Sequence, residues 1–191
     1  APGARFREMV EVLESLDLPF RTVPSLSQLA RGEIATALRP VGIGDILGRE
    51  SVNFEGTDCR EFFSGKTVLV TGAGGSIGSE LSRQLAKLAP KALVLLDHSE
   101  SALFEIQQEL SDSDCLSVTL ADVKDSAAMK AVLKKHGPQV IFHAAAFKHV
   151  AMMEQHPAMA VANNVVSTHQ LAGLAREHGV EHFVLISTDK A

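Results

Sequence analysis

The sequence predicts an α/β protein, a doubly wound parallel sheet preceded by a helix–strand–helix arm. Three observations carry this. Short apolar runs alternate with helical periodicities from residue 67 to the end of the chain. Those runs are apolar throughout rather than at every second position, the mark of strands covered on both faces. The stretch VLVTGAGGSIGSE, Val68 to Glu80, sets a β-branched run against four glycines and then a helical pattern.

The arm comes first. Phe6, Met9, Leu13 and Leu16 share one helical face, and Pro19 ends that pattern. FRTV, Phe20 to Val23, reads as a short strand. Ser25 is placed to cap a short helix, SLSQLA. Residues 1–38 therefore read as the tail of a preceding α/β domain or as an arm packed on the main one. Residues 39–64 are mixed and contain Gly and Pro; they read as a linker with one helical turn near Asp45 to Leu47.

The main domain spans residues 65–191. Its first strand is TVLVT, Thr67 to Thr71, and a helix follows with Ile77, Leu81, Leu85 and Leu88 on one face until Pro90 stops it. ALVLLD, Ala92 to Asp97, is the second strand. Ser99 caps a helix carrying Leu103, Ile106 and Leu110. LSVTLAD ends at Asp122, and a helix with Met129, Val132 and Leu133 runs to Gly137-Pro138. QVIFHAA, Gln139 to Ala145, is the fourth strand. One longer helix carries Val161, Val165, Thr168, Ala172 and Ala175 and ends at Gly179; HFVLIS closes the series at Ser187. Right-handed crossovers turn this order into a doubly wound sheet of Rossmann type.

Composition narrows the function. The 191 residues are 46% hydrophobic and 21% charged, with a net charge of −5. That balance argues against nucleic acid as a partner, because binding phosphates needs a basic face. No apolar run approaches the ~18–20 residues that span a bilayer. The opening APGARFREMVEV lacks the apolar stretch of a signal peptide. Cys59 and Cys115 match no metal or redox spacing and read as free thiols of a reducing cytoplasm. No metal site is expected: His178 and His182 are four apart, but Gly179 breaks the helix between them.

In a doubly wound sheet, ligands bind beyond the carboxyl ends of the strands, where the glycine turn lies. Its spacing is Gly72-x-x-Gly75-x-x-Gly78; Ile77 holds the place of the last glycine in G-x-G-x-x-G. Unpaired amides and the positive dipole end at a helix start favour a pyrophosphate, which brings in Ser76 and Ile77. Asp97, at the end of the second strand, suits the adenosine ribose hydroxyls and repels a 2′-phosphate, so NAD is expected over NADP. A turn or capping aspartate is the other reading of Asp97. Asp122 reaches the adenine amino group or is a solvated turn. Asn164 faces the nicotinamide side or is a buried polar group bonded to backbone. Lys148 contacts substrate or cofactor phosphate, or is a surface lysine. His149 and His156, around Met152 and Met153, read as packing or loop residues.

TGxxGxxG, AD-V at Ala121 to Val123, HAAA at His143 to Ala146, NNVV at Asn163 to Val166 and STDKA at Ser187 to Ala191 together resemble an extended short-chain dehydrogenase/reductase. FKHV-MMEQHP, Phe147 to Pro157, and STDKA resemble its membrane-anchored polysaccharide-biosynthesis branch, the nucleotide-sugar 4,6-dehydratases acting on UDP-N-acetylglucosamine. LRPVGIGDILGRE, Leu38 to Glu50, resembles the linker ahead of that branch's catalytic domain, and residues 1–37 the end of the domain before it. Ala151 stands where the family has proline, and Ser167 where it has glycine.

The resemblance implies a UDP-sugar substrate, cofactor contacts at Val123, Ala144, Ala145 and Ala146, and a cytoplasmic part of a parent anchored in the inner membrane, with room for a homo-oligomer. It implies hydride transfer from sugar C4 to NAD, loss of the C5 proton and of water from C6, and hydride return at C6. Thr188 then bonds the C4 oxygen, Asp189 is the acid at O6 and Lys190 the base at C5. That chemistry demands a protonated Asp189 and a neutral Lys190. The family continues past STDKA with a tyrosine or methionine, a lysine and a sugar-gripping domain; this chain has no tyrosine and stops at Ala191. The 191 residues alone are thus expected to be inactive. Two alternatives stand beside this reading: a nucleotide-sugar epimerase, which shares the cofactor half, and a non-catalytic dinucleotide-binding module.

Overall fold

A computed structural model describes residues 57–187, together with Met9, Val12, Leu13 and Arg21. The chain divides into two units, Ala1–Asn53 and Phe54–Ala191, and the account below concerns the second. Apart from Met9, Val12, Leu13 and Arg21, the expected arm lies outside the described residues, as do the expected turn at Asp45 to Leu47 and the STDKA residues Thr188, Asp189, Lys190 and Ala191.

Five parallel strands form one sheet in the order β3-β2-β1-β4-β5. They are β1 (Thr67–Thr71), β2 (Ala92–Asp97), β3 (Leu116–Leu120), β4 (Val140–His143) and β5 (His182–Leu185). The helices are α1 (Thr57–Phe63), α2 (Ser76–Lys87), α3 (Glu100–Glu109), α4 (Ser126–His136), α5 (Val150–Gln155), α6 (Pro157–Ala160) and α7 (Ser167–Glu177), with a π-helical segment, Val161–Val166, between the last two. The chain enters at β1, winds to β3 on one side, then crosses to β4 on the other. The winding reverses between β1 and β4, and a crevice opens there.

Alternate strand residues feed two cores. Val68, Val70, Leu93, Leu95 and Val140 pack with Leu85, Leu88, Leu103 and Ile106 of α2 and α3. Leu69, Val94, Leu96 and Ile141 pack with Met129, Val132 and Leu133 of α4 and Leu171 and Leu174 of α7. Burying each large side chain contributes about 1.5–3 kcal/mol, which is why strands apolar at every position need helices on both faces. Asp125 caps α4 by accepting from the amides of Ala127 and Ala128 at 3.0 Å each. Gly137 ends α4 in the left-handed region, φ 54°.

Three expectations need correction. Residues 57–63, read as linker, form α1, and Phe63 joins the core against Phe142 at a ring separation of 6.2 Å. The packed unit therefore starts before Gly65. Ile77 does not join Leu85 and Leu88 in the core; it is 55% exposed, and Gly78 and Ser82 are buried in α2 instead. The single long helix is three consecutive pieces, α6, the π segment and α7. The π segment adds a residue to the turn and rotates the phase, so Asn163, Ser167, Leu171, Leu174 and Ala175 face inward while Val161 and Val165 are exposed.

One polar chain crosses this apolar interior. His143, fully buried at the end of β4, shares a 2.7 Å hydrogen bond through Nδ1 with Thr71 Oγ1 and a 2.9 Å bond through Nε2 with Thr168 Oγ1. Burial pushes its pKa from 6.5 down to about 4. Between those values the unfolded chain takes up a proton that the folded chain refuses. This contribution is therefore intact above pH 6.5 and is lost as pH falls from 6.5 to 4. Urea unfolding should show a loss on the order of 3 kcal/mol across that window. His143→Phe should flatten the slope; equal slopes in the two proteins would contradict the assignment.

Candidate functional site

The turn after β1 is built from close backbone contacts. Gly72 sits at φ +69°, and a Cβ on it would lie 2.7 Å from the Ala145 amide and 2.8 Å from the Ala144 carbonyl. A Cβ on Gly78 would fall 2.0 Å from the Gly72 oxygen. These two glycines let β1, β4 and α2 meet without side chains between them. Gly75 differs: it is exposed, its φ is −72°, and its added Cβ would meet only the Gly72 oxygen, at 3.2 Å.

A cleft of about 240 Å³ opens beyond β1, β2 and β4. Of the residues named from sequence, Gly72, Gly75, Asp97, Val123, Ala144, Ala145 and Ala146 line it. Gly74, Asn163 and Phe147 line it as well. Gly74, with Gly72, fits the G-x-G opening of the motif in the sequence but is not singled out there as a site residue; the pair Asn163-Asn164 offered no sign of which member faces in. Ser76, Ile77, Gly78, Asp122, Lys148 and Asn164 lie outside the lining.

Asp97 is almost wholly buried and stitches the turn to β2. Its Oδ2 accepts from the Gly74 amide and its Oδ1 from the Ser99 amide, each at 2.9 Å. A carboxylate offers about four lone-pair positions, more than these two amides use, and Asp97 lines the cleft. His98 approaches Oδ1 at 3.4 Å through Nδ1. Among the described residues no Lys or Arg lines the cleft.

The start of α2 is uncapped. Gly75 supplies no side chain, and the first turn carries no acidic residue. Its free amides and dipole therefore present positive charge. Lys148 reaches across from the loop after β4, its Nζ 3.4 Å from Ser76 Oγ.

Asp122 turns inward on its own loop: Oδ1 accepts from the Lys124 amide at 2.9 Å and Oδ2 pairs with Lys124 Nζ at 3.2 Å. Lys124 Nζ also stands 5.7 Å from the Phe147 ring centre. Asn164 grips the Phe147 backbone, donating to its carbonyl and accepting from its amide at 2.9 Å each. It also accepts from Asn163 Nδ2 at 3.0 Å. Its carboxamide is thus occupied in holding the loop after β4. Ser167 Oγ donates to the Asn163 carbonyl within the π segment.

These residues fit a dinucleotide. The bare backbone at Gly75 allows close approach, the open amides of α2 suit a diphosphate, and Asp97 offers acceptors for ribose hydroxyls.

A family model described as polysaccharide biosynthesis protein matches residues 68–191. A probable polysaccharide biosynthesis protein EpsC of Bacillus subtilis is 42% identical over 90% of this chain and 29% of its own length. A UDP-N-acetylglucosamine 4,6-dehydratase (inverting) of Campylobacter jejuni is 28% identical over 68% of this chain and 38% of its own. The solved UDP-glucose-4-epimerase of Stenotrophomonas maltophila, with bound NAD and formylated UDP-arabinopyranose, aligns at TM-score 0.58 and 26% identity, over 65% of this chain and 37% of that one. The chain thus spans well under half the length of each of these relatives.

The two exacting glycine positions should separate fold from binding. Gly78→Ala should cost about 3 kcal/mol or more, because backbone must move to admit the methyl. Gly75→Val should change stability by no more than about 1 kcal/mol yet weaken NAD binding by about tenfold or more, as side-chain bulk enters the cleft. Chemical denaturation and calorimetry on both variants measure this; normal NAD affinity in a folded Gly75→Val protein would make the turn a mere connection.

Proposed function

The chain belongs to the polysaccharide biosynthesis protein family, and on that premise we propose that residues 57–187 hold NAD as the cofactor part of a nucleotide-sugar 4,6-dehydratase acting on UDP-N-acetylglucosamine. The observation that carries the proposal is the cleft itself, with bare Gly75 and the uncapped start of α2 on one side and the Asp97 carboxylate on the other. The NAD-bound epimerase neighbour and the dehydratase relative support it.

The roles divide by charge. The α2 amides and Lys148 take the diphosphate. Asp97 accepts from the adenosine ribose hydroxyls with the lone pairs that Gly74 and Ser99 leave open. Ala144, Ala145 and Ala146 give the cofactor a smooth backbone wall, and Asn163 faces it from the π segment. When bound, NAD supplies a hydride acceptor at C4 of the sugar and a donor at C6. Beyond the described residues, Thr188 bonds the C4 oxygen, Asp189 protonates the departing C6 hydroxyl and Lys190 removes the C5 proton. The reading sets this part on the cytoplasmic side of a membrane-anchored protein; among the described residues, no helix is long and apolar enough to cross a membrane.

An epimerase is the second reading, favoured by the likeness to UDP-glucose-4-epimerase. The product decides: a 4-keto-6-deoxy sugar for the dehydratase, a C4-inverted sugar for the epimerase.

NAD should bind at least about tenfold tighter than NADP, since a 2′-phosphate meets the Asp97 carboxylate with no cation lining the cleft to offset it. Titration calorimetry with both cofactors tests this, and equal affinities remove Asp97 from the ribose. Turnover depends on how closely acid and base are held, because a ~1 Å misplacement of either costs about a hundredfold. In the full-length protein, Lys190→Ala and Asp189→Asn should each abolish turnover while keeping NAD affinity. Undiminished turnover in either variant defeats the assigned roles.

A further inference from the structure

His143 takes no part in the chemistry proposed above, and it touches no ligand-facing surface. We infer that it is a positioning residue, an imidazole strut that holds the π segment carrying Asn163 at a set distance from the glycine turn.

The argument starts from cost. A buried imidazole gains little over an apolar side chain of the same shape, because its hydrogen bonds roughly offset its desolvation. What the ring adds is direction. Its two nitrogens point to opposite sides and engage hydroxyls on two different elements. Thr71 is the residue immediately before Gly72, and Thr168 is the second residue of α7. Ser167, beside Thr168, donates back to the Asn163 carbonyl. One unbroken chain, Thr71–His143–Thr168, thus joins the two walls of the cleft, and both its ends stand within five residues of a lining residue.

The position of the ring is itself fixed. His143 pairs in register with Thr71 across the β1–β4 ladder, and its ring lies 5.9 Å from that of Phe183 on β5. An apolar ring in its place fills the volume but leaves the buried Thr71 hydroxyl and the half-buried Thr168 hydroxyl without this partner. The start of α7 is then free to slide along β4, carrying the π segment with it. A π segment is the place where such a slip is cheap, because its extra residue already leaves the helical ladder irregular.

The inference rests on the dinucleotide reading for its functional meaning but not for its test. Amide hydrogen exchange on the whole 191-residue chain reads the coupling directly. His143→Phe and Thr168→Val are compared with Leu88→Ala, a core truncation at the far end of α2 that lowers stability without touching the strut. Exchange at Phe147 and at Asn163 to Ser167 should speed about tenfold in the first two beyond any change in the third. The double variant should add nothing to His143→Phe, and His143→Gln should restore part of the protection. NAD affinity by calorimetry should fall about tenfold with His143→Phe and stay near wild type with Leu88→Ala. If exchange at the π segment follows global stability alike in all variants, the strut is only core and the inference falls. If wild type binds no NAD while the exchange pattern holds, the dinucleotide reading fails and the strut stands.

Discussion

Everything in this unit depends on how closely backbone meets backbone where β1 ends. Gly72 rests directly on the Ala144–Ala145 peptide, and Gly78 rests directly on Gly72. No side chain fits in either contact. That forces α2 to begin within five residues of the end of β1 and leaves its amides open to the crevice. It also explains why the small residues are not interchangeable. Gly72 and Gly78 are set by contact inside the protein, while a Cβ on Gly75 would meet only the Gly72 oxygen, at 3.2 Å.

Around that contact, polar groups serve the fold and the cleft together. Asp97 accepts from the turn amides of Gly74 and Ser99 and also lines the cleft. Its two readings from sequence, turn residue and ligand acceptor, are both compatible with one carboxylate. Asn164 instead is used up: its carboxamide holds Phe147 at both backbone groups. Asp122 is likewise turned toward Lys124.

The two ends of the described sheet differ from its middle. The strand β1 and β2 from Leu93 onward are buried, while Val184 and Leu185 of β5 are 38% and 49% exposed. At the opposite end of the strands from the cleft, Lys66 pairs with Glu181 and Thr67 donates to Gln139 Oε1 at 2.7 Å, tying β1 to β4 and β5. The sheet is held firmly at its base and is most specialised at its rim.

Sequence alone determined the strands, because full-length apolar runs such as TVLVT and ALVLLD can be satisfied only between two layers of helices. It also determined the cleft's location, because the glycines follow the first strand. Helix faces were legible where the period held, as for Leu103 and Ile106 or Met129, Val132 and Leu133. They were not legible where one inserted residue rotated the phase, and only tertiary packing shows Asn163 and Ser167 inward and Val161 outward. Packing also drew residues 57–63 into the domain through Phe63, a contact with Phe142 across 79 positions of chain. The same holds for His143: a histidine at a strand end carries no local sign of two threonines, one 72 residues before it and one 25 after. Periodicity records what each segment needs from a neighbour; which neighbour meets that need is decided only when the sheet closes.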